Sequence, residues 1–313
     1  KSAVSPRVLV IPMARMELRV CRLRRCRRHA PRAALLLVAG SLLVALTRLA
    51  SDESCSPGLA FAAGLENMPT GTPKLYGYDH SHYTVRCRMA LGLKRMPYRM
   101  IWVAEDDAET PTQLVGKKIT PIIEFPGEAP MPESADIIAR VDGDEAYGPP
   151  VLKPKTERPD IDAWVKTLSV PMRNLGRPRY IRSSMLPEFH SYSARERFVT
   201  THPLPDPVTG ETLSKADWAA LPKEDRVKVY DHYWTDSEAQ LTALNKALLG
   251  VDGLIASDKH VSPHGISWDD IVFFSRLRGL TLIKGVNLPA PLESYLTAMS
   301  EQTDVPLLTQ MAL

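Results

Sequence analysis

Short apolar runs and helical runs alternate along the chain from Lys74 onward, and the rhythm changes near residue 150. The pattern predicts a strand over 74–78, a helix over 83–94 and a strand over 98–103. A loop around Asp106-Asp107-Ala108-Glu109-Thr110-Pro111 follows, with a short or irregular helix over 110–116. Then come a strand over 120–125, a short strand near 130 and a helix over 133–141. Gly148-Pro149-Pro150 punctuates the end of this β-α-β-α-β-β-α unit, which spans 73–147. Beyond it the periodicity is helical: one helix opens at Asp160-Ile161-Asp162, another spans 237–249, and two more follow 267 and 290. Sustained helical periodicity without strand signals predicts a separate all-α domain over 155–313.

Two local patterns refine that division. Ser267-Trp268-Asp269-Asp270 places an acid three residues after a serine, the signature of a capping box at a helix N-terminus. His202-Pro203-Leu204-Pro205-Asp206-Pro207 reads as a proline-rich surface turn leading into Trp218 to Asp225, and is expected to be a tolerated surface excursion.

Charge divides the chain differently. The first 50 residues carry +10, which leaves −7 on residues 51–313 although the whole chain is +3. The folded part therefore carries no basic face suited to nucleic acid, and the arginine run over 22–28 is expected to belong to a leader. Residues 33–47 follow it as 15 uncharged residues, shorter than the about 20 needed to span a bilayer and suited to a signal-peptide core. A linker rich in small residues, with Gly58-Leu59-Ala60-Phe61-Ala62, extends to residue 72. This arrangement resembles the two-part plastid leaders of algae, and a secretory signal or a single membrane anchor are the other readings of residues 1–72. Of four cysteines, Cys21, Cys26 and Cys55 lie in that segment and only Cys87 in the body. That usage supports neither a disulfide framework nor a metal site.

The chemistry concentrates in three segments. Tyr78-Asp79-His80-Ser81-His82-Tyr83-Thr84 joins the first strand to the first helix, where free backbone N–H groups and the helix dipole stabilise an anion. Thr120-Pro121 opens a later strand, and Pro132-Glu133-Ser134 opens a later helix. Together these segments resemble the glutathione site of the glutaredoxin 2 family, glutaredoxins built like glutathione S-transferases. The resemblance runs from about Lys74 to Leu313. It implies a thioredoxin-like α/β domain followed by an all-α, glutathione transferase-like domain, and its match at Gly265-Ile266-Ser267 and Asp270 implies the fold rather than the activity.

The resemblance also implies roles. Thr120 and Pro121 correspond to the family's cis-proline step, where the Thr120 backbone pairs with the cysteinyl amide of glutathione. Glu133 and Ser134 correspond to the pair that holds the γ-glutamyl carboxylate, with Lys117 or Lys118 as candidates for the glycyl carboxylate. The departure is at Ser81-His82-Tyr83-Thr84, where the family has Cys-Pro-Tyr-Cys. A serine hydroxyl cannot attack a mixed disulfide at neutral pH, and Thr84 cannot resolve one. Ser81 instead stands where several glutathione transferases place a serine that hydrogen-bonds the glutathione thiolate. Tyr78, His80, His82 and Tyr83 are nearby donors. Three readings follow. The first is glutathione-dependent transferase chemistry at Ser81 on a small electrophile or disulfide. The second is a non-catalytic glutathione-binding or scaffold protein in redox homeostasis. The third is a residual oxidoreductase using Cys87, which as a lone helical cysteine is expected to be a small buried apolar group.

Overall fold

The structure is a computed structural model that describes residues 71–183 and 185–313 and the backbone of Leu9–Pro12. The expected leader over 1–72 otherwise lies outside the described residues. Leu9–Pro12 forms β1, at one edge of a five-stranded sheet of order β1-β3-β2-β4-β5. The centre of the sheet is β2 (Lys74–Gly77), parallel to β3 (Arg99–Trp102) and antiparallel to β4 (Ile122–Glu124). The two-residue β5 (Met131–Pro132) closes the other edge, antiparallel to β4. Strand alternation explains the core: Met100, Leu75 and Ile123 are in register across three strands and all are buried. On the opposite face Lys74 bridges to Glu124 at 3.1 Å, and the Tyr76 hydroxyl donates to Glu124 at 2.9 Å.

Three helices complete the α/β unit: α1 (His82–Leu93), α2 (Glu109–Val115) and α3 (Ser134–Asp142). This mixed sheet with its flanking helices is the thioredoxin-like arrangement expected from the pattern. The chain then continues as α4 (Pro159–Ser183), α5 (Tyr192–Thr201), α6 (Lys215–Ala220), α7 (Lys223–Thr235), α8 (Glu238–Leu248), α9 (Trp268–Leu277) and α10 (Ala290–Thr303). Among the described residues no helix is long and apolar enough to cross a membrane.

Helix α1 is enclosed by both units. It packs on α3 on one side and on α9 and α10 on the other, so seven of its twelve residues are buried and it lacks a clean polar face. The approach to α10 depends on Gly92, where an added Cβ would lie 1.7 Å from the Thr303 carbonyl oxygen. Beyond α1, the buried Lys94 ammonium donates to the carbonyls of Asp142, Gly148 and Pro149 at 2.8, 2.6 and 3.0 Å. One lysine thereby ties the end of α1, the end of α3 and the start of the interdomain linker together.

A buried charge cluster joins the units. Asp79 sits between β2 and α1; its Oδ1 accepts from Arg88 of α1 at 2.5 Å and lies 3.0 Å from Arg278, just past α9. Arg278 also donates to the Asp79 carbonyl at 2.8 Å and to the Pro306 carbonyl at 2.7 Å. All three side chains are buried.

The capping box at the start of α9 forms as expected. The Asp270 carboxylate accepts from the Ser267 N–H at 2.9 Å, and its other oxygen accepts from the Val261 N–H at 2.8 Å. The expected surface excursion over 202–225 is corrected. Only residues 206–217 form an exposed stretch. Leu204 and Trp218 on either side are buried in one cluster with Phe189, Phe198, Tyr230 and Tyr233, and the Trp218 indole donates to the Val199 carbonyl at 2.7 Å. A loop flanked by two core anchors carries packing energy.

Burial alone would raise the Asp79 carboxyl, but Arg278 and Arg88 outweigh burial and hold it below the usual carboxylate range. Its contribution to stability is therefore complete above the value of an unfolded aspartate, about 4, and is lost as pH falls through the folded value. Asp79→Asn, which leaves two buried guanidiniums without a counter-charge, is expected to cost about 3–5 kcal/mol at neutral pH. Urea unfolding of both proteins should show this gap narrowing as pH falls below about 4, and a pH-independent gap would contradict the ionic origin.

Candidate functional site

A cavity of about 830 Å³ opens where the β2–α1 loop faces α4 and α5. Tyr78, Ser81, His82 and Thr120 reach its wall together, so the first strand–helix junction and the proline strand converge as expected. The Thr120–Pro121 peptide is cis, and Pro121 itself is buried behind it.

Ser81 occupies the N-cap of α1, yet its hydroxyl makes no capping bond. The backbone does the joining instead: the Ser81 N–H donates to the Tyr78 carbonyl at 3.3 Å, and the Ser81 carbonyl accepts from the Val85 N–H at 3.0 Å. The hydroxyl is thus left available at the cavity wall, beside the first-turn N–H groups that have no intrahelical partner. Three residues on, Thr84 is buried. Its hydroxyl accepts from the Tyr78 N–H at 3.3 Å and packs where a Cβ on Gly77 would collide with it. The two positions that hold cysteine in the family motif have separate fates, one facing the cavity and one locked in the strand–helix junction.

Two of the neighbouring donors, His82 and Tyr78, are held neutral. Burial, with the nearby Arg86 and Arg276 charges, pushes His82 down to about 4, and its ring packs 4.1 Å from that of Tyr83. Burial and then the Glu105 carboxylate push the Tyr78 phenol far up. His80 crosses to the helical unit, where Glu188 accepts from its backbone N–H at 2.9 Å and meets its Nδ1 at 2.6 Å. The His80 ring lies against Tyr180, Phe189 and Phe198. Glu105, unnoticed in the sequence, lines the same cavity; burial raises its carboxyl, and its N–H donates to the Glu188 carbonyl at 3.1 Å.

Glu133 and Ser134 lie outside that cavity wall, at the N-terminus of α3. Glu133 is the N-cap and has φ 71, a left-handed conformation uncommon for a residue with a Cβ. Its exposed carboxylate lies 3.5 Å from Lys117. Lys118 is not turned to the cavity, because its ammonium donates to the Glu105 carbonyl. Cys87 is fully buried, its Sγ 3.9 Å from the Ser134 carbonyl oxygen, and burial raises its thiol far above the usual range. A buried, protonated thiol is not a nucleophile, which removes the third reading. Among the described residues no cluster of side chains is arranged to hold a metal ion.

The far wall comes from residues not singled out in the sequence as site residues, His202 having been read only as the start of a surface turn. Arg173, Arg177 and Tyr180 project from α4, and Phe198 and His202 from α5 and its C-terminal end. The signal was available as a spacing: 173, 177 and 180 fall on one face of a helix.

Comparison with known proteins agrees with this geometry. The family model of the glutathione S-transferase N-terminal domain matches residues 75–150, and that of the glutaredoxin 2 C-terminal domain matches residues 211–312. Glutaredoxin 2 of Escherichia coli K12 is 33% identical over 240 residues, covering 77% of this chain and all of that protein. The crystal structure of glutaredoxin 2 from Salmonella typhimurium in complex with glutathione superposes with a TM-score of 0.64 at 30% identity, covering 78% of this chain and all of that one. With its thioredoxin-like sheet, its helical second unit and relatives matched along their whole length, the chain belongs to the glutaredoxin 2 family.

Proposed function

We propose that the protein catalyses glutathione-dependent transfer to a small electrophile, with Ser81 as the catalytic residue. The observation that carries this reading is the Ser81 hydroxyl, free of capping duty at the mouth of α1 and on the cavity wall. A hydroxyl there donates to the glutathione sulfur, and because it favours the anion it lowers the thiol pKa. The helix N-terminus adds its dipole and its unpaired N–H groups. In the reaction the thiol proton leaves to water and the sulfur lone pair forms a bond to an electrophilic carbon. The leaving group departs with the electron pair of the bond that breaks. Neither a resolving thiol nor an external reductant is needed.

Family membership supports glutathione as the cosubstrate, and the relative from Salmonella typhimurium was solved with it bound. The peptide's cysteinyl amide pairs with the Thr120 backbone beside Pro121. Its γ-glutamyl carboxylate meets Ser134 and the free N–H groups of α3. The left-handed backbone at Glu133 is consistent with a turn held in place for such a ligand. Lys117 is the better of the two lysine candidates for the glycyl carboxylate, since Lys118 is engaged by Glu105.

Ser134→Ala, through a lost bond to the γ-glutamyl carboxylate, and Glu133→Ala, through a lost bond accepted from the γ-glutamyl ammonium, are each expected to weaken glutathione binding by about 1–3 kcal/mol, read by titration calorimetry. No binding by the natural protein at millimolar peptide would remove the whole reading.

Following thiolate absorbance of the complex against pH should give an inflection below that of free glutathione. Ser81→Ala should move that inflection upward and slow conjugation by about 10²-fold, the usual loss for one well-placed donor. His82→Asn should leave the inflection in place, because His82 is already neutral above about 4. An inflection that ignores Ser81→Ala would make the protein a binder rather than a transferase.

A further inference from the structure

The cavity opposite Ser81 carries a charge imbalance that glutathione does not explain. Most buried or half-buried arginines around it have an anionic partner or a set of carbonyls. Arg88 and Arg278 share Asp79, Arg276 lies 3.7 Å from Asp162, and Arg179 donates to the carbonyls of Leu313 and Leu175. Arg177 has one bond, to the Pro203 carbonyl, and Arg173 has one, to the Asn174 side chain at 3.2 Å. Neither has a carboxylate partner among the described residues. They stand one helical turn apart on α4, on the cavity wall, and burial and then the Arg173 charge disfavour the charged form of Arg177. Two neighbouring guanidiniums in a partly desolvated wall are stabilised by an anion between or above them.

The same wall is aromatic. Tyr180 lies one turn beyond Arg177 on the cavity wall, and its hydroxyl has no hydrogen-bond partner among the described residues. Phe198 and His202 are stacked with ring centroids 4.0 Å apart. His202 adds no charge, since burial and then Arg177 push it down to about 3. The acids of the cavity are accounted for elsewhere: Asp162 faces Arg276 and Lys155, and Glu105 lies on the Ser81 side near Lys118 and His80.

Resting on the transferase reading, we propose that the second substrate is a planar aromatic electrophile bearing a carboxylate, its ring against Tyr180, Phe198 and His202 and its carboxylate on Arg173 and Arg177. The nucleophile then approaches from Ser81, across the cavity. With 4-chloro-3-nitrobenzoate the glutathione sulfur bonds to the ring carbon that bears chlorine, chloride leaves with the electron pair, and the thiol proton goes to water.

Calorimetry on the glutathione-free protein tests the site without any turnover. The natural protein should bind 4-nitrobenzoate about 10-fold or more tighter than 4-nitrobenzamide, the discrimination expected of a charge-assisted contact. Arg177→Gln and Arg173→Gln should each remove most of that preference while glutathione affinity stays within about twofold. Equal binding of benzoate and benzamide by the natural protein overturns the proposal without recourse to any variant. Variants that lose glutathione affinity and keep the benzoate preference also overturn it, and assign the arginines to the glycyl carboxylate. A benzoate preference accompanied by no conjugation of 4-chloro-3-nitrobenzoate or of neutral 1-chloro-2,4-dinitrobenzene upholds the anion site and sinks the transferase reading. Conjugation of neutral 4-chloro-3-nitrobenzamide with a KM as low as that of the benzoate upholds the transferase and sinks this proposal.

Discussion

The carboxylate of Asp79 is the constraint on which the site depends. It lies between an arginine of the α/β unit, from which it accepts a hydrogen bond, and an arginine of the helical unit, with which it forms an ion pair at 3.0 Å, all while buried. An ion group of this kind adds little net stability over apolar packing, but it tolerates only one arrangement, since any other leaves a buried charge unpaired. What it fixes is the loop that follows. His80 is next in the chain and crosses to Glu188; Ser81 is next again and faces the cavity. The position of the Ser81 hydroxyl is thus set by an interdomain charge cluster rather than by the α/β unit alone.

That arrangement also explains how a thiol site persists without its thiols. The strand–helix junction supplies N–H groups and a dipole whatever side chain stands at the N-cap. Replacing the first cysteine by Ser81 keeps a polar group at the mouth of that junction, whereas the second position, Thr84, has become part of the packing against Gly77 and Tyr78. On the proposed transferase reading, the nucleophilic thiol is that of the bound peptide, with the protein as its stabiliser.

The α/β unit was legible because its signals are local. The apolar alternation of Leu75 and its neighbours, the turn chemistry at Gly148-Pro149-Pro150 and the Ser267–Asp270 box each specify structure within a few residues. Helices α5 and α7 were not legible. Each mixes aromatic and β-branched residues with charges, and each is stabilised by the Phe198, Trp218, Tyr230 and Tyr233 cluster rather than by its own propensity. The proline-rich run at 202–207 looked like a surface loop for the same reason, because nothing local reports that Leu204 is buried. In the site, Ser81, Thr120 and Ser134 were readable as a motif with known spacing. Asp79, Glu105 and Lys94 were not, because their importance lies in partners 13 to 199 residues away or in burial that only the fold creates.

The central claim is that Ser81 meets the sulfur of glutathione, and a crystal structure of the complex tests it most directly. The account predicts the sulfur within about 3.5 Å of the Ser81 Oγ, in hydrogen-bond geometry and facing the cavity lined by Tyr180 and Arg177. A sulfur turned away from that cavity, with the Ser81 hydroxyl folded back onto the N–H groups of α1 as an ordinary cap, would contradict it.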